Sequence, residues 1–439
     1  MLGIKTIINE YRHFGAFTIW NWLAMPIIGS VLFLSVKSWA GFGNYNSILI
    51  GDLSAGMGGA ATAVVGDVSS GSFYNPATLG RLKGDAFSAT VGIYKKFDTV
   101  YGEDQEFAKA PLRVNQGFFR SLPASTGNVI DVRGYKLGLS IVVPDYDTYR
   151  GDLKKSETVT TSLNYVDESL WVGGSIAKSI DPQQSLGLTF YYTARSFVRS
   201  INDRSNSTAT KSVIFNQERN LTENSLVGIF GYYNQLTPRW AVGVSLRPSA
   251  MRVAGEARVN ESKTEMDLNG PTLTKTEPDI PTLRAPAKIA GRASFGVSYE
   301  PSPLWLWAVD ANFYEGYSYE DVDNSLYSNR IEVLPVHNIS IGGQWSWADW
   351  LKFRGGIYTN FSAHPNPDPE LQRLQQDRLD MGGFSANFLF IAKNQVGYTF
   401  GGYYTGGRGR SIQRINQTYE VVTVTHHVFT MLVGTHFYF

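Results

Sequence analysis

The sequence predicts an all-β protein, a transmembrane antiparallel β-barrel of about 14 strands with an N-terminal hatch, or plug, in its lumen. Three observations lead there. Beyond Gly84, apolar residues alternate with small or polar ones. Short turn-like links alternate with long polar ones. The last strand runs in strict alternation to a terminal Phe439.

Composition narrows the class before any strand is placed. The 439 residues include 24 Tyr, 25 Phe, 10 Trp and 44 Gly, yet only 18% are charged and the mean hydropathy is −0.16. A helical membrane bundle would be far more hydrophobic, and a soluble chain this aromatic would carry more charge. A barrel wall falls between, because lipid-facing and lumen-facing residues alternate. The net charge of +1 gives no basis for nucleic-acid binding. With no cysteine, disulfides, thiolate metal sites, Cys nucleophiles and a lipid-anchored Cys are excluded.

Residues 1–40 read as a secretory signal peptide. Lys5, Arg12 and His13 form a basic start, an apolar run follows through Ile27, Val31 and Val36, and Ser38-Trp39-Ala40 supplies small residues before a mature start at Gly41. After residue 40 no stretch approaches the roughly 18 apolar residues that a spanning helix needs.

Residues 41–83 form the expected hatch. The stretch LSAGMGGAATAVVGDVSSGSFYNPATLGRL lacks clean alternation, so it is not wall. Its small residues permit tight folding inside a lumen, and Asp67, Ser69, Ser70, Ser72 and Asn75 can satisfy backbone groups where water is scarce. Pro76 restricts Asn75 to extended conformations and marks a turn into the first strand.

Residues 84–439 form the expected barrel. Strands are placed near 84–99, 112–120, 134–146, 166–179, 185–199, 222–234, 239–253, 285–299, 303–317, 331–346, 350–361, 380–392, 395–406 and 425–439. Leu186, Leu188, Phe190 and Tyr192 face one way, and Ser185, Gly187, Thr189 and Tyr191 the other. Long polar links are expected near 146–166, 200–222, 254–284, 318–330, 361–379 and 407–424, with a loop at 254–284 over the mouth and a short surface helix within 369–379. Trp305, Trp307, Trp345, Trp347, Trp350, Tyr403 and Tyr404 gather near strand ends, as in an interfacial girdle. Phe429, Met431, Val433, Thr435, Phe437 and Phe439 alternate to the C-terminus, which resembles the signal recognised by the outer-membrane barrel assembly machinery.

By strand phase Arg195, Arg247 and Arg354 face the lumen, where a guanidinium can bind a carboxylate or pair with wall or hatch acids. Gly56-Met57-Gly58-Gly59 has no strand before it and no helix after it, so it is not a nucleotide loop. The six histidines, His426-His427 among them, show no metal-ligand spacing, and no Ser/His/Asp set stands in a catalytic context. No cofactor and no enzymatic activity are expected.

The hatch motif (Asp67, then Asn75-Pro76-Ala77 and Leu79), the Gly41-Phe42 start, the pair of strands in SIGGQWSWADWLKFRGGIYTN with Arg354 and Gly356, and Asp377-Arg378 together resemble the FadL-like family of outer-membrane transporters. The chain departs from that pattern at NYNSILIGDLS before the hatch and at Glu315-Gly316-Tyr317-Ser318 after Asp310. The resemblance implies a multi-pass protein of the bacterial outer membrane that takes up hydrophobic compounds, fatty acids or aromatic hydrocarbons, passively. They would be captured at an outer apolar groove, passed to a site beside the hatch and released sideways into the lipid. A local break in strand pairing would serve that exit, with Pro144 as the candidate opening. The alternative is a barrel that acts as a structural accessory to a secretion or envelope complex.

Overall fold

Strand pairing in the computed structural model runs without interruption around a closed ring, each neighbour antiparallel to the next, and the wall has fourteen positions. The structure describes residues 43–102, 112–154, 159–208, 211–267, 270–276, 282–286, 288–325, 328, 330–371, 375–392, 396–415 and 418–438. The expected signal segment, residues 1–40, lies outside them, as does the terminal Phe439.

The wall begins with β1 (Ala86–Tyr101), β2 (Leu112–Val132), β3 (Tyr135–Lys154), β4 (Val159–Ser179), β5 (Gln184–Thr208) and β6 (Lys211–Gln235). The next position is split between β7 (Trp240–Arg247) and β8 (Met251–Asp267), which carries the short β9 (Gly270–Thr276). It continues through β10 (Leu283–Arg284) with β11 (Arg292–Ser302), then β12 (Trp305–Tyr314). A hairpin of β13 (Tyr317–Glu320) and β14 (Arg330–Val333) stands apart from the wall. The ring closes through β15 (Val336–Ala348), β16 (Leu351–Asn360), β17 (Arg378–Ile391), β18 (Val396–Ile415) and β19 (Thr418–Tyr438). β19 pairs with β1 from Ala86↔Tyr438 to Tyr101↔Val424, so the alternating C-terminal stretch is the closing strand.

The alternation assigns faces as expected. Phe190, Phe295, Phe384, Phe400 and Met431 are exposed on the outer face, whereas Ser185, Thr189, Ser245, Ser294 and Ser385 are buried toward the lumen. An outer surface this apolar would be unstable in water, and it fits the hydrocarbon layer. Trp305, Trp307 and Trp345 stack at 5.7 Å spacing near the short turns, beside the exposed Trp347 and Trp350. Tyr403 corrects the girdle: it points inward and is buried against Leu49 of the hatch. Its phase follows Gly401 and Thr399 rather than the outward Phe400.

The larger correction concerns the long links. Residues 146–154 and 159–166 belong to β3 and β4, and 200–208 and 211–222 to β5 and β6, paired almost to their tips. The 407–415 and 418–424 segments likewise extend β18 and β19, and 254–267 extends the wall along β6. At about 3.3 Å per residue, β5 and β6 (25 residues each) reach about 80 Å, whereas roughly 9–11 residues cross the bilayer core. Above the lipid the inward face still packs, with Ile201, Asp203, Val213 and Phe215 buried, but outward residues such as Asn202 and Arg204 are polar, so the ladder persists while the apolar-out pattern is lost. The wall is therefore tall from β3 to β8 and low from β11 to β16. Of the expected surface helix within 369–379, residues 372–374 lie outside the described residues; Pro369–Leu371 forms a 3-10 turn and Arg378 already opens β17.

Candidate functional site

The hatch fills the lumen at the level of the bilayer. It contains α1 (Asp52–Gly56), α2 (Val68–Tyr74) and a 3-10 turn, Pro76–Arg81. Asp67 caps α2, accepting from the Ser69 and Ser70 amides at 3.0 and 3.3 Å and from the Ser88 hydroxyl of β1 at 3.1 Å. Burial pushes its carboxyl up, and the charge of Asp52 adds to that. Asn75 accepts from the Ala77 amide at 3.1 Å and donates to the carbonyls of Thr62 and Tyr232 at 2.7 and 3.0 Å, which ties the turn to β6. Pro76 starts the 3-10 turn, where its missing N–H costs nothing.

Wall side chains complete the attachment. Asp310 accepts from the Ala61 and Thr62 amides, both at 2.8 Å. Ser385 accepts from the Gly58 amide and donates to the Gly56 carbonyl, and Ser185 donates to the Ala77 carbonyl at 2.7 Å. Glycines supply the room. A Cβ at Gly187 or Gly231 would overlap the Asn75-Pro76-Ala77 turn, one at Gly243 the Thr62 carbonyl, and one at Gly342 or Gly356 Met57. These contacts hold the hatch inside the ring of strands.

The three lumen arginines part company. Arg354 donates to Asp52 of the hatch at 3.1 Å and to Gln344 at 2.9 Å, so it anchors the hatch. Arg195 forks onto Asp167 at 2.8 and 2.9 Å and reaches Glu223 at 2.9 Å, which places it in a wall ion-pair network. Arg247 is different. It donates to the Ala290 carbonyl at 3.1 Å, its Nε has no hydrogen-bond partner, and it lies 5.5 Å over the ring of Trp171. Directly opposite it in the β7–β11 ladder stands Arg292, which the sequence reading passed over although it shares the lumen phase of Ser294. Arg292 donates to the Phe73 carbonyl at 2.8 Å, lies 5.2 Å over that ring, and also has an unpartnered Nε.

The two guanidiniums line an inner cavity of about 30 Å³ together with Tyr45, Phe73, Tyr74, Trp171, Tyr314, Tyr317 and Pro144. Toward the tall hairpins an outer cavity of about 150 Å³ follows, edged by Lys95, Asp145, Asp167, Arg199, His364 and Asp377. Asp145 lines both. The outer space thus mixes charged groups with apolar ones such as Phe97, Leu379, Met381 and Val428. Beneath the hatch, Val64, Arg81, Tyr233, Glu300 and Leu306 surround a separate cavity of about 180 Å³.

Pro144 sits where the wall loosens. β2 pairs with β3 only from Val132↔Tyr135 to Ser125↔Val142, and among the described residues no further pair joins them toward the tall hairpins. The β3–β4 register shifts between Val142 and Asp145, and β1 carries a bulge between Gly92 and Tyr94. Proline cannot donate to a ladder, so it is tolerated where one edge of the strand is free. The histidines are engaged elsewhere: His426 with Thr99 at 2.6 Å, His427 with Tyr404 at 2.5 Å, and His436 at 3.7 Å from Asp52. Among the described residues no group of three or more His, Cys, Asp or Glu side chains is arranged to hold a metal.

A closed fourteen-strand wall, a seated N-terminal hatch and an outward apolar face define a membrane-spanning plugged β-barrel. No protein-family model matches the sequence, and no curated protein does. Solved structures match the fold over nearly its whole length. A Pseudomonas aeruginosa FadL homologue aligns at TM-score 0.66 and 14% identity, covering 90% of this chain and 100% of its own. The Ralstonia pickettii toluene transporter TbuX aligns at 0.59 and 14%, covering 90% and 100%. The CymD monoaromatic hydrocarbon channel aligns at 0.58 and 15%, covering 90% and 99%. The chain has the FadL-like barrel fold.

Proposed function

We propose that the chain is a channel of the bacterial outer membrane for passive uptake of hydrophobic compounds, with exit sideways through the wall. One observation carries this reading: the aromatic inner cavity, closed below by the hatch, has Pro144 in its lining at the point where the β2–β3 ladder stops. An apolar solute gains nothing from a water-filled pore, whereas a path from a ring-lined cavity to lipid keeps it out of water throughout. With the hatch held inside the ring of strands, the loosened seam is the natural way out. The named functions of the similar structures, toluene transport and monoaromatic hydrocarbon conduction, support aromatic compounds ahead of long-chain fatty acids. Segment 1–40 would direct export, and the C-terminal alternation would engage the barrel assembly machinery.

The test is uptake of labelled toluene and labelled hexadecanoate by cells that lack their own transporter. The cells express the full chain or the chain with residues 41–80 deleted. Uptake of either compound that changes on deletion supports the reading. No uptake of either, with a folded barrel confirmed at the surface, refutes it.

A further inference from the structure

We propose that the inner cavity receives the carboxylate of a compact aromatic monoacid of benzoate size, held between Arg247 and Arg292 with its ring in the outer cavity. The inference rests on the uptake reading and names its substrate class.

The arginine pair is the starting point. Arg247 and Arg292 are directly opposite in an antiparallel ladder, 5% and 4% exposed, and like charges so placed repel. Among the described residues neither guanidinium has a carboxylate within 4.0 Å, and both Nε groups are buried without a hydrogen-bond partner. Arg195 and Arg354, in the same lumen, each have their carboxylate. The wall therefore pairs its other buried guanidiniums and leaves two adjacent ones unmatched at a cavity. A bridging anion would remove the repulsion and supply the missing acceptors.

Charge and size then select the anion. The ionisable groups lining the inner cavity are two guanidiniums, Arg247 and Arg292, and one carboxyl, Asp145, so the site is net positive and favours an anion. A space of about 30 Å³ holds a few heavy atoms at most, enough for a carboxylate but not for a ring. The adjoining 150 Å³ has the dimensions of cavities that take one benzene ring. Phe97, Tyr101 and Tyr146 supply ring faces there, while Lys95, Arg199 and Asp377 make it a poor bed for a long acyl chain. A neutral hydrocarbon would leave both guanidiniums as they are.

The experiment is calorimetric titration of the detergent-solubilised full chain with benzoate, toluene and hexadecanoate. Benzoate should bind saturably and tighter than toluene, and Arg247→Gln or Arg292→Gln should weaken benzoate roughly 10- to 100-fold more than toluene. Benzoate binding no tighter than toluene, or Gln variants that migrate as folded barrels and bind benzoate like the parent, would overturn the inference. If the Gln variants do not assemble, Asp145→Asn titrated at pH 8.5 serves, since loss of the negative charge present there should tighten benzoate severalfold, and unchanged or weaker binding at that pH counts against the site. Toluene or hexadecanoate uptake without benzoate binding sinks this assignment and leaves the uptake reading standing. Absence of all uptake sinks the latter, while benzoate titration of the purified protein still decides the site.

Discussion

Asp52 of the hatch and Arg354 of β16 form an ion pair at 3.1 Å with both side chains at most 5% exposed. The Asp52 carboxylate also accepts from Thr399 at 2.5 Å and lies 3.7 Å from His436, so three wall strands converge on one hatch residue. Burial alone would push this carboxyl up. Its contacts with His436, the charge of Arg354 and the Thr399 hydroxyl outweigh that and hold it well below the usual carboxylate range.

Removing Arg354 leaves the acid buried without its principal countercharge. Arg354→Met should destabilise hatch seating by about 3–5 kcal/mol. The measurement is protease cleavage within residues 43–82 of the purified barrel, expected to appear in the variant and not in the parent. Because the Asp52 pKa is depressed on folding, the stability it contributes is present above its ordinary value of 3.8 and lost as pH falls below it. Hatch protection in the parent should therefore survive to about pH 4; loss already at pH 6 would contradict the assignment.

His364 gives a second pH dependence of different origin. It lies in the connection between β16 and β17, packed against Gly43 at the top of the hatch, and burial lowers its pKa to about 4 from 6.5. The unfolded ring binds a proton that the folded one refuses, so stability falls as pH drops from about 6.5 toward 4. Hydrogen exchange of residues 361–371 should be faster at pH 5 than at pH 7.5 after correction for intrinsic rates. His364→Phe should abolish that difference.

The glycine contacts predict a separable defect. Gly356→Val would drive a side chain into Met57 and Gly58, an overpacking cost of about 1–3 kcal/mol borne by the hatch rather than the wall. The variant should still migrate as a folded barrel in unheated gels but show raised single-channel conductance in planar bilayers. Leu186→Val, on the lipid face, should change neither.

The loosened seam can be closed chemically. Cysteines at Ala124 and Val143, one step beyond the Ser125↔Val142 pair, are introduced into a chain that has none. If exit runs between β2 and β3, oxidation should reduce toluene uptake and a reductant should restore it. Uptake unchanged after complete cross-linking would place the exit elsewhere.

How much of this could be read from the sequence depends on whether a feature is local. Alternation is local, so the faces of β5, β7, β11, β17 and β19 followed directly from residues such as Leu186 against Ser185. The upper halves of β5 and β6 carry no such signature, because outward residues such as Asn202 and Arg204 are polar and the buried inward set mixes Ile201 and Phe215 with Asp203 and Arg219, so they read as loops. Ion pairing is not local either. Arg195 finds Asp167 and Glu223 on neighbouring strands, each 28 residues away, and only the register brings them together. Pro144 was readable as an interruption, and Arg292 was readable too, since it continues the lumen phase of Ser294, Gly296 and Ser298. What no sequence pattern stated is that Arg292 and Arg247 stand side by side with no carboxylate within 4.0 Å among the described residues.

The bare wall positions under the hatch have a consequence for protein engineering. Gly187, Gly231, Gly243, Gly342 and Gly356 form a mould shaped to one particular backbone trace. A hatch transplanted from another barrel would meet empty space where its own side chains expect contact, or overlap where they expect none. Chimaeras that exchange only residues 43–82 should therefore assemble leaky pores, whereas those that carry these five wall positions along with the insert should regain a tight seal.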